Sequence, residues 1–451
     1  MPAPVATRQD CAGLQADGTL TLEESLRARG ALPHPTLEQL QAALPADTLL
    51  VRYFLYSTSQ ESPDVAVGAM AIRRTGVLWV PLGPVAALGP SLTDLFAQWS
   101  AYTNPGTGRS VQATGLAAPA SAQLLRDRLW TPVVGDHRGP VWMVGDDALQ
   151  VIPFHALPGR NPGRRLVQEQ EILYLPNLLA ALRPAVDYTD GALALADPAV
   201  RAELATRRTE GGPAVAGIPG RPLPRIRAAS QDAWPDSPVG EAATETLLRQ
   251  ASLGARYLSL GVHGQVVAGE DLKIPDLKDP GYNGSAWTLL PNEVPELASV
   301  IYLAGASISV QRGSRTDSPP EATDPRNDGI FTAAELGSLD LRQTEVLMLW
   351  SCTTGFGSLQ GRDYLGFRGA GIAAGAGTVI APVWEVDDAV TGELLRRYSA
   401  ALKGRKGKET AGELWLEVVR VWLEEAPVLS KQFGVDVSHP YYWASFLATG
   451  R

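Results

Sequence analysis

The sequence predicts an α/β protein built on a mainly parallel sheet flanked by helices. Three observations predict it. Apolar, β-type runs recur along the chain at residues 49–56, 192–196, 256–262, 346–350 and 378–383. Helical patterns alternate with many of them, which is the order of parallel sheets covered on both faces. Two amphipathic stretches, 389–402 and 410–425, close the chain and suit the role of cover.

In chain order, the first 45 residues read as a polar lead-in with one short helix over 37–43. Strands follow over 49–56, 66–72 and 77–80, then helices over 92–102 and 120–129. Short strands at 141–144 and 149–152 are joined by the turn Gly145-Asp146-Asp147, and another ends at 172–175. A second α/β series starts near Gly191 with a strand over 192–196. Residues 206–238, rich in Pro, Gly, Arg and Ser, read as a long surface loop. A helix (241–250) and a strand (256–262) precede a loop-rich passage to Asp328, which contains apolar runs at 300–303 and 307–310. A helix at 332–336, a strand at 346–350, a Gly/Ala helix at 367–374 and a strand at 378–383 lead into the terminal helices.

At 451 residues the chain is long for one core, so two packed units or one large α/β unit are expected. Its 39 basic and 48 acidic residues give a net charge of −9, which argues against nucleic acid as a direct partner. The uncharged stretch 369–384 is Gly/Ala-rich, contains Pro382 and is too short to span a bilayer, so no membrane partner is expected. The first residues lack a basic start followed by an apolar run, and only Cys11 and Cys352 could form a disulfide. A cytoplasmic, reducing location is the expectation. No His/Cys/Asp cluster has metal-ligand spacing and no phosphate-binding glycine motif is present, so no metal or other cofactor is expected.

Two cysteines and five histidines leave few nucleophile–base pairs. His263 closes the run Tyr257-Leu258-Ser259-Leu260-Gly261-Val262, and Cys352 closes Val346-Leu347-Met348-Leu349-Trp350-Ser351. In open α/β sheets functional groups gather where strands end, so both side chains are expected at one sheet edge. A thiol is a strong nucleophile as thiolate, and an imidazole can take its proton near neutral pH. Gly264 permits a sharp turn that aims its N–H at a developing oxyanion, with the Cys352 N–H as second donor. On spacing alone, a buried structural cysteine and a loop histidine explain the same residues.

Several blocks, taken together and in order, resemble the CHAT family of caspase-like peptidases. They are Val141-Trp142-Met143-Val144-Gly145-Asp146-Asp147-Ala148-Leu149 with Ile152-Pro153-Phe154-His155-Ala156-Leu157, and Tyr174-Leu175-Pro176-Asn177. Gly240-Glu241-Ala242-Ala243-Thr244 precedes the histidine strand, and Asp328-Gly329-Ile330-Phe331-Thr332-Ala333-Ala334-Glu335-Leu336 precedes the cysteine strand. Ser351-Cys352-Thr353-Thr354-Gly355 resembles the nucleophile motif. Gly375-Ala376-Gly377-Thr378-Val379, Val383-Trp384-Glu385-Val386-Asp387-Asp388 and His439-Pro440-Tyr441-Tyr442-Trp443-Ala444-Ser445-Phe446 complete the series. The resemblance implies a caspase-like fold, with an extension over 1–45, a pseudo-caspase half over 46–184 and a catalytic half over 185–451. It implies a cysteine endopeptidase with His263 and Cys352 as dyad, a specific protein substrate, and an activator or sensor protein in a prokaryotic defence or signalling system. A non-catalytic scaffold of the same fold is the rival. The TPR repeats common in the family before this region are absent from the sequence.

In this family the loop after the Gly/Ala strand helps form the pocket for the residue before the scissile bond, which implicates Trp384, Asp387 and Asp388. A carboxylate there would select Lys or Arg; Asp388 equally suits the N-cap of the helix over 389–402. Arg207, Arg208, Arg221, Arg225 and Arg227 form a basic loop that is either a self-cleavage site or solvated charge. Trp415, Val418, Val419 and Trp422 have the spacing of a core-facing helical stripe, and Tyr441, Tyr442, Trp443 and His155 read as structural.

Overall fold

A computed structural model of the chain describes residues 35–57, 65–100, 119–184, 186–200, 222–251, 254–266, 299–304, 306, 329–352, 354–355, 358–360 and 363–451. Helix α1 (Leu37–Ala43) opens on a capping box: Thr36 accepts the Gln39 N–H, and Gln39 accepts the Thr36 N–H. Strands β1 (Leu49–Ser57), β2 (Val65–Arg73) and β3 (Gly76–Pro84) form an antiparallel meander. Helix α2 (Gly89–Ser100) follows, then α3 (Ala120–Leu125), a π-turn Arg126–Trp130 and the short α4 (Thr131–Val134). Strands β4 (Val141–Val144) and β5 (Ile172–Tyr174) end the first half.

The expected strand over 149–152 does not form. Its start is a 3₁₀ turn, Asp147–Gln150, because β1 pairs with one edge of β4 and β5 with the other. Val151 and Ile152 are buried all the same, so an apolar run without a free sheet edge becomes packed coil.

The second half begins with β6 (Ala192–Pro198), helix α5 (Pro224–Ala233), β7 (Val239–Gly240) and helix α6 (Glu245–Ala251). Helix α5 corrects the reading of 206–238 as continuous loop. Ile226, Ala229, Ser230 and Ala233 are buried at helical spacing, a stripe masked in sequence by the surrounding Arg and Pro. Residues 201–221, with Arg207, Arg208 and Arg221, lie outside the described residues.

Next come β8 (Tyr257–Gly261), β9 (His263–Val266), β10 (Ser299–Tyr302) and β11 (Ile330–Thr332), then helix α7 (Ala333–Ser338), capped by Thr332 and Glu335. β12 (Val346–Leu349) precedes a hairpin of β13 (Ser358–Gln360) and β14 (Asp363–Leu365). Helix α8 (Phe367–Ala374), β15 (Thr378–Pro382), the long helices α9 (Asp388–Gly404) and α10 (Ala411–Phe433), and β16 (Phe446–Gly450) complete the chain. The apolar run at 307–310 lies outside the described residues.

One sheet runs through both halves in the order β3-β2-β1-β4-β5-β16-β15-β12-β8-β6-β7. β1, β4, β5 and β16 run one way. β16 meets β15 antiparallel, and β15, β12, β8, β6 and β7 run the other way. The sheet is thus mainly parallel, as the sequence predicts. β12 shows why its strands read as unbroken apolar runs. Val346 and Met348 join a core cluster with Leu394, Trp415 and Trp422, whereas Leu347 and Leu349 join another with Leu336, Phe367 and Ala370. Helices cover both faces, so neither face needs polar residues. The stripe Trp415, Val418, Val419 and Trp422 is buried, as are Tyr442 and Trp443.

Candidate active site

Parallel pairing sets the geometry of the site. Leu260 of β8 lies opposite Leu349 of β12, and the Trp350 N–H extends that ladder onto the Leu260 carbonyl at 2.9 Å. His263 and Cys352 each stand three residues beyond the paired leucines. Two neighbouring parallel strands therefore release the chain at the same level and the same sheet edge, and the two chemical groups leave with it. The Trp350 indole N–H donates to Ser259 Oγ at 3.0 Å in the buried layer just below.

After Gly261 the chain leaves the large sheet and enters a small antiparallel one, β11-β10-β9. His263 is the first residue of β9, buried, and directly opposite Tyr302 of β10. Cross-strand partners have side chains close enough to interact, so Tyr302 is the neighbour of the imidazole that sequence reasoning missed. Its phenol is pushed up to about 12 by burial. The only sequence signal for it was the apolar run at 300–303.

Gly264 ties the two strand ends together. A Cβ on Gly264 would stand 2.6 Å from Thr354 Cγ2, 2.9 Å from the Cys352 carbonyl oxygen and 3.3 Å from Ser351 Cβ. The residue after His263 is thus pressed against the backbone of Cys352, an approach that only glycine allows. On the other side, the Gly355 N–H donates to the Pro382 carbonyl at 2.7 Å, which holds the Cys352 turn against the end of β15. Within the turn, Thr354 Oγ1 donates to the Ser351 carbonyl at 3.2 Å.

Cys352 is half-buried and free of disulfide. Burial pushes its thiol up to about 11; the Val386 backbone N–H, bonded to the sulfur, opposes that shift, and the Glu385 charge adds to it. The Cys352 backbone N–H also opposes the upward shift of the thiol. Tyr441 sits in the same charge environment. Its phenol is raised chiefly by burial, with Asp387, Cys352 and Glu385 contributing. The site therefore holds a thiol, a buried imidazole on the adjacent strand end, and an acidic loop running from β15 to α9.

The three residues of that loop marked by the sequence hold separate positions. Trp384 is buried, donates its indole N–H to the Tyr441 carbonyl at 2.9 Å and meets Phe96 edge-on. Asp387, not Asp388, caps α9, accepting the Ala389 and Val390 N–H groups at 3.0 Å each. The helix starts one residue earlier than its apolar pattern suggests, which moves the cap. Asp388 instead reaches α5 and accepts the Arg225 and Ile226 N–H groups, both at 3.1 Å. The acid whose charge acts on the thiol is Glu385, next to Trp384 in the same loop. Among the described residues, no group of His, Cys, Asp and Glu side chains could hold a metal ion. No helix there is long and apolar enough to cross a membrane.

Comparison with solved structures finds a complex of the pro- and mature domains of Porphyromonas gingivalis RgpB, at 11% identity and a TM-score of 0.37. The alignment covers 81% of this chain and 76% of that one. It also finds a Saccharomyces cerevisiae separase–securin complex at 8% identity and a TM-score of 0.43, covering 92% of this chain and 30% of that one. The chain thus spans less than a third of the length of that second structure. No curated protein matches the sequence. Residues 119–451, well over half of the chain, match the CHAT domain, and by that match the chain belongs to the CHAT family.

Proposed function

We propose that this chain is a cysteine endopeptidase in which Cys352 is the nucleophile and His263 the base. The observation that carries this reading is the shared register of the two strand ends, with Gly264 packed on the Cys352 backbone. In the proposed reaction the Cys352 thiol gives its proton to the His263 imidazole and the sulfur attacks a peptide carbonyl carbon. The N–H groups of Gly264 and Cys352 receive the charge on oxygen, each such donor lowering the barrier by about 3 kcal/mol. The imidazolium then protonates the leaving amine, and water hydrolyses the thioester with His263 as base again. Tyr302 would orient the imidazole.

In the same reading the substrate is a specific protein, and an acidic loop residue selects a basic side chain before the scissile bond. Glu385 suits that role better than Asp387 or Asp388, whose carboxylates cap helices. An activator that shifts the 384–388 loop would relieve the burial that keeps the thiol neutral. That same neutral thiol favours a second reading, a non-catalytic scaffold. Incubation with candidate protein partners separates the two. The peptidase reading expects discrete cuts, lost in Cys352→Ala and in His263→Ala and reduced more than tenfold in Tyr302→Phe; cuts that persist in Cys352→Ala would defeat it.

A further inference from the structure

Far along the chain from the dyad, a cavity of about 440 Å³ lies between the π-turn Arg126–Trp130 and the loop 158–165. Arg126, Arg160, Arg164 and Arg165 line it with Gln123 and Asn161, and no carboxylate lines it. Four cations around one cavity, in a chain of net charge −9, run against the overall balance. Like charges so gathered repel one another unless something negative joins them.

The loop that presents three of these arginines is held in shape by its own bonds. Pro158 and Arg165 form an antiparallel bridge, and the Gly159 N–H donates to the Arg164 carbonyl at 2.7 Å. Gly163 turns the tip in the left-handed region, at φ 77°. Glu169 accepts the backbone N–H groups of Arg160 at 2.6 Å and Asn161 at 2.9 Å. A Cβ on Gly159 would stand 2.8 Å from that carboxylate, so this glycine makes room for it. Glu169 thus secures the backbone of the loop.

The guanidinium groups are poorly compensated among the described residues. Arg126 Nε is buried with no hydrogen-bond partner, and its carboxylate neighbour is Asp127, at 3.9 Å and largely exposed. Arg160 donates to the carbonyls of Gly135 and His137 at 2.7 and 2.8 Å. Arg165 donates to the Ala156 carbonyl at a long 3.4 Å, and burial pulls it down to about 10, with the Asp436 charge opposing. By contrast, Arg256 and Arg405 elsewhere close directly on Glu345. Arginine forks match the oxygens of phosphate and carboxylate groups, and the volume lies within the range of small-molecule sites.

We propose that this cavity binds a small, multiply charged oxyanion, held by Arg126, Arg160, Arg164 and Arg165. No aromatic side chain lines it, so recognition rests on charge and oxygen geometry rather than on stacking. The shared chemistry is that of a polyphosphate or polycarboxylate group. Calorimetric titration of the full chain at 150 mM NaCl with sodium tripolyphosphate, and separately with citrate, tests it. Saturable binding of one anion per chain is expected, weakened at least tenfold in both Arg164→Gln and Arg126→Gln. The control Arg342→Gln, a change at an exposed arginine paired with Asp340, should leave binding unchanged. Tighter binding of tripolyphosphate would identify phosphate as the recognised group, and tighter binding of citrate carboxylate. Arg164 is exposed, so its replacement leaves the fold intact. No saturable binding of either anion, or equal affinity in the wild type and both cavity variants, overturns the proposal.

Discussion

Burial, with the Glu385 charge adding to it, holds the Cys352 thiol above its usual range. A thiol with a pKa of about 11 is almost wholly neutral at pH 7, with a thiolate fraction on the order of one in ten thousand. Removing the nearby negative charge should therefore ease ionisation. In Glu385→Gln the Cys352 titration, followed by thiolate absorbance, is expected to move below the wild-type midpoint, and preference for Lys or Arg substrates should fall. An unchanged titration would remove Glu385 from the site. His155 is governed by burial instead. Tyr174 Oη accepts the His155 backbone N–H at 3.3 Å and shares a hydrogen bond with Nδ1 at 2.9 Å. The His155 Nε2 is buried without a hydrogen-bond partner. Desolvation holds this imidazole down at about 3, against an ordinary value of 6.5. Between those pH values the unfolded chain binds a proton that the folded chain refuses, so stability is lost as pH falls below 6.5, by about 1.4 kcal/mol per unit. His439, lowered to about 4 by burial, acts in the same direction. Urea midpoints at pH 7 and pH 5 should differ less in His155→Gln than in the wild type; an equal difference would contradict this role.

At the scale of elements, the loop between β15 and α9 spends its aspartates on helix ends. Asp387 caps α9, and Asp388 caps α5 across the sequence. The close packing of α5 on α9 shows at Gly392, where a Cβ would stand 2.8 Å from the Arg225 carbonyl carbon and oxygen. Asp388→Ala removes two charge-assisted bonds to a helix N-terminus and is expected to cost about 1–2 kcal/mol, measured by urea unfolding. A cost near zero would mean that α5 is held by its apolar stripe alone. The same elements mark what sequence can disclose. Periodicity identified α8, α9 and α10 because their apolar faces recur regularly and their caps are ordinary residues. It missed α5, whose four buried positions are small or isolated among Arg, Ser and Pro. It missed β16, and it missed the β13–β14 hairpin, whose three-residue strands carry no decisive alternation. It made a strand of 149–152 because an apolar run does not say whether a sheet edge is free.

Across the whole molecule, the strand order converts sequence distance into proximity. β8 and β12 are far apart in the chain yet adjacent in the sheet, so His263 and Cys352 could be nominated from sequence as strand-end residues bound for one edge. Their equal offset from the paired leucines could not, because register comes from pairing and is not written in either strand alone. Tyr302 and Glu385 were hidden for the same reason: each matters through a neighbour that only the fold supplies. The most direct test of the account is the rate at which a peptidyl electrophile carrying a basic residue labels Cys352, read by mass spectrometry in the wild type and in His263→Ala. One adduct per chain, on Cys352, with a rate at least a hundredfold greater in the wild type, is the expected result. Equal rates in the two proteins, or no adduct on native Cys352 while the denatured chain is labelled, would contradict it.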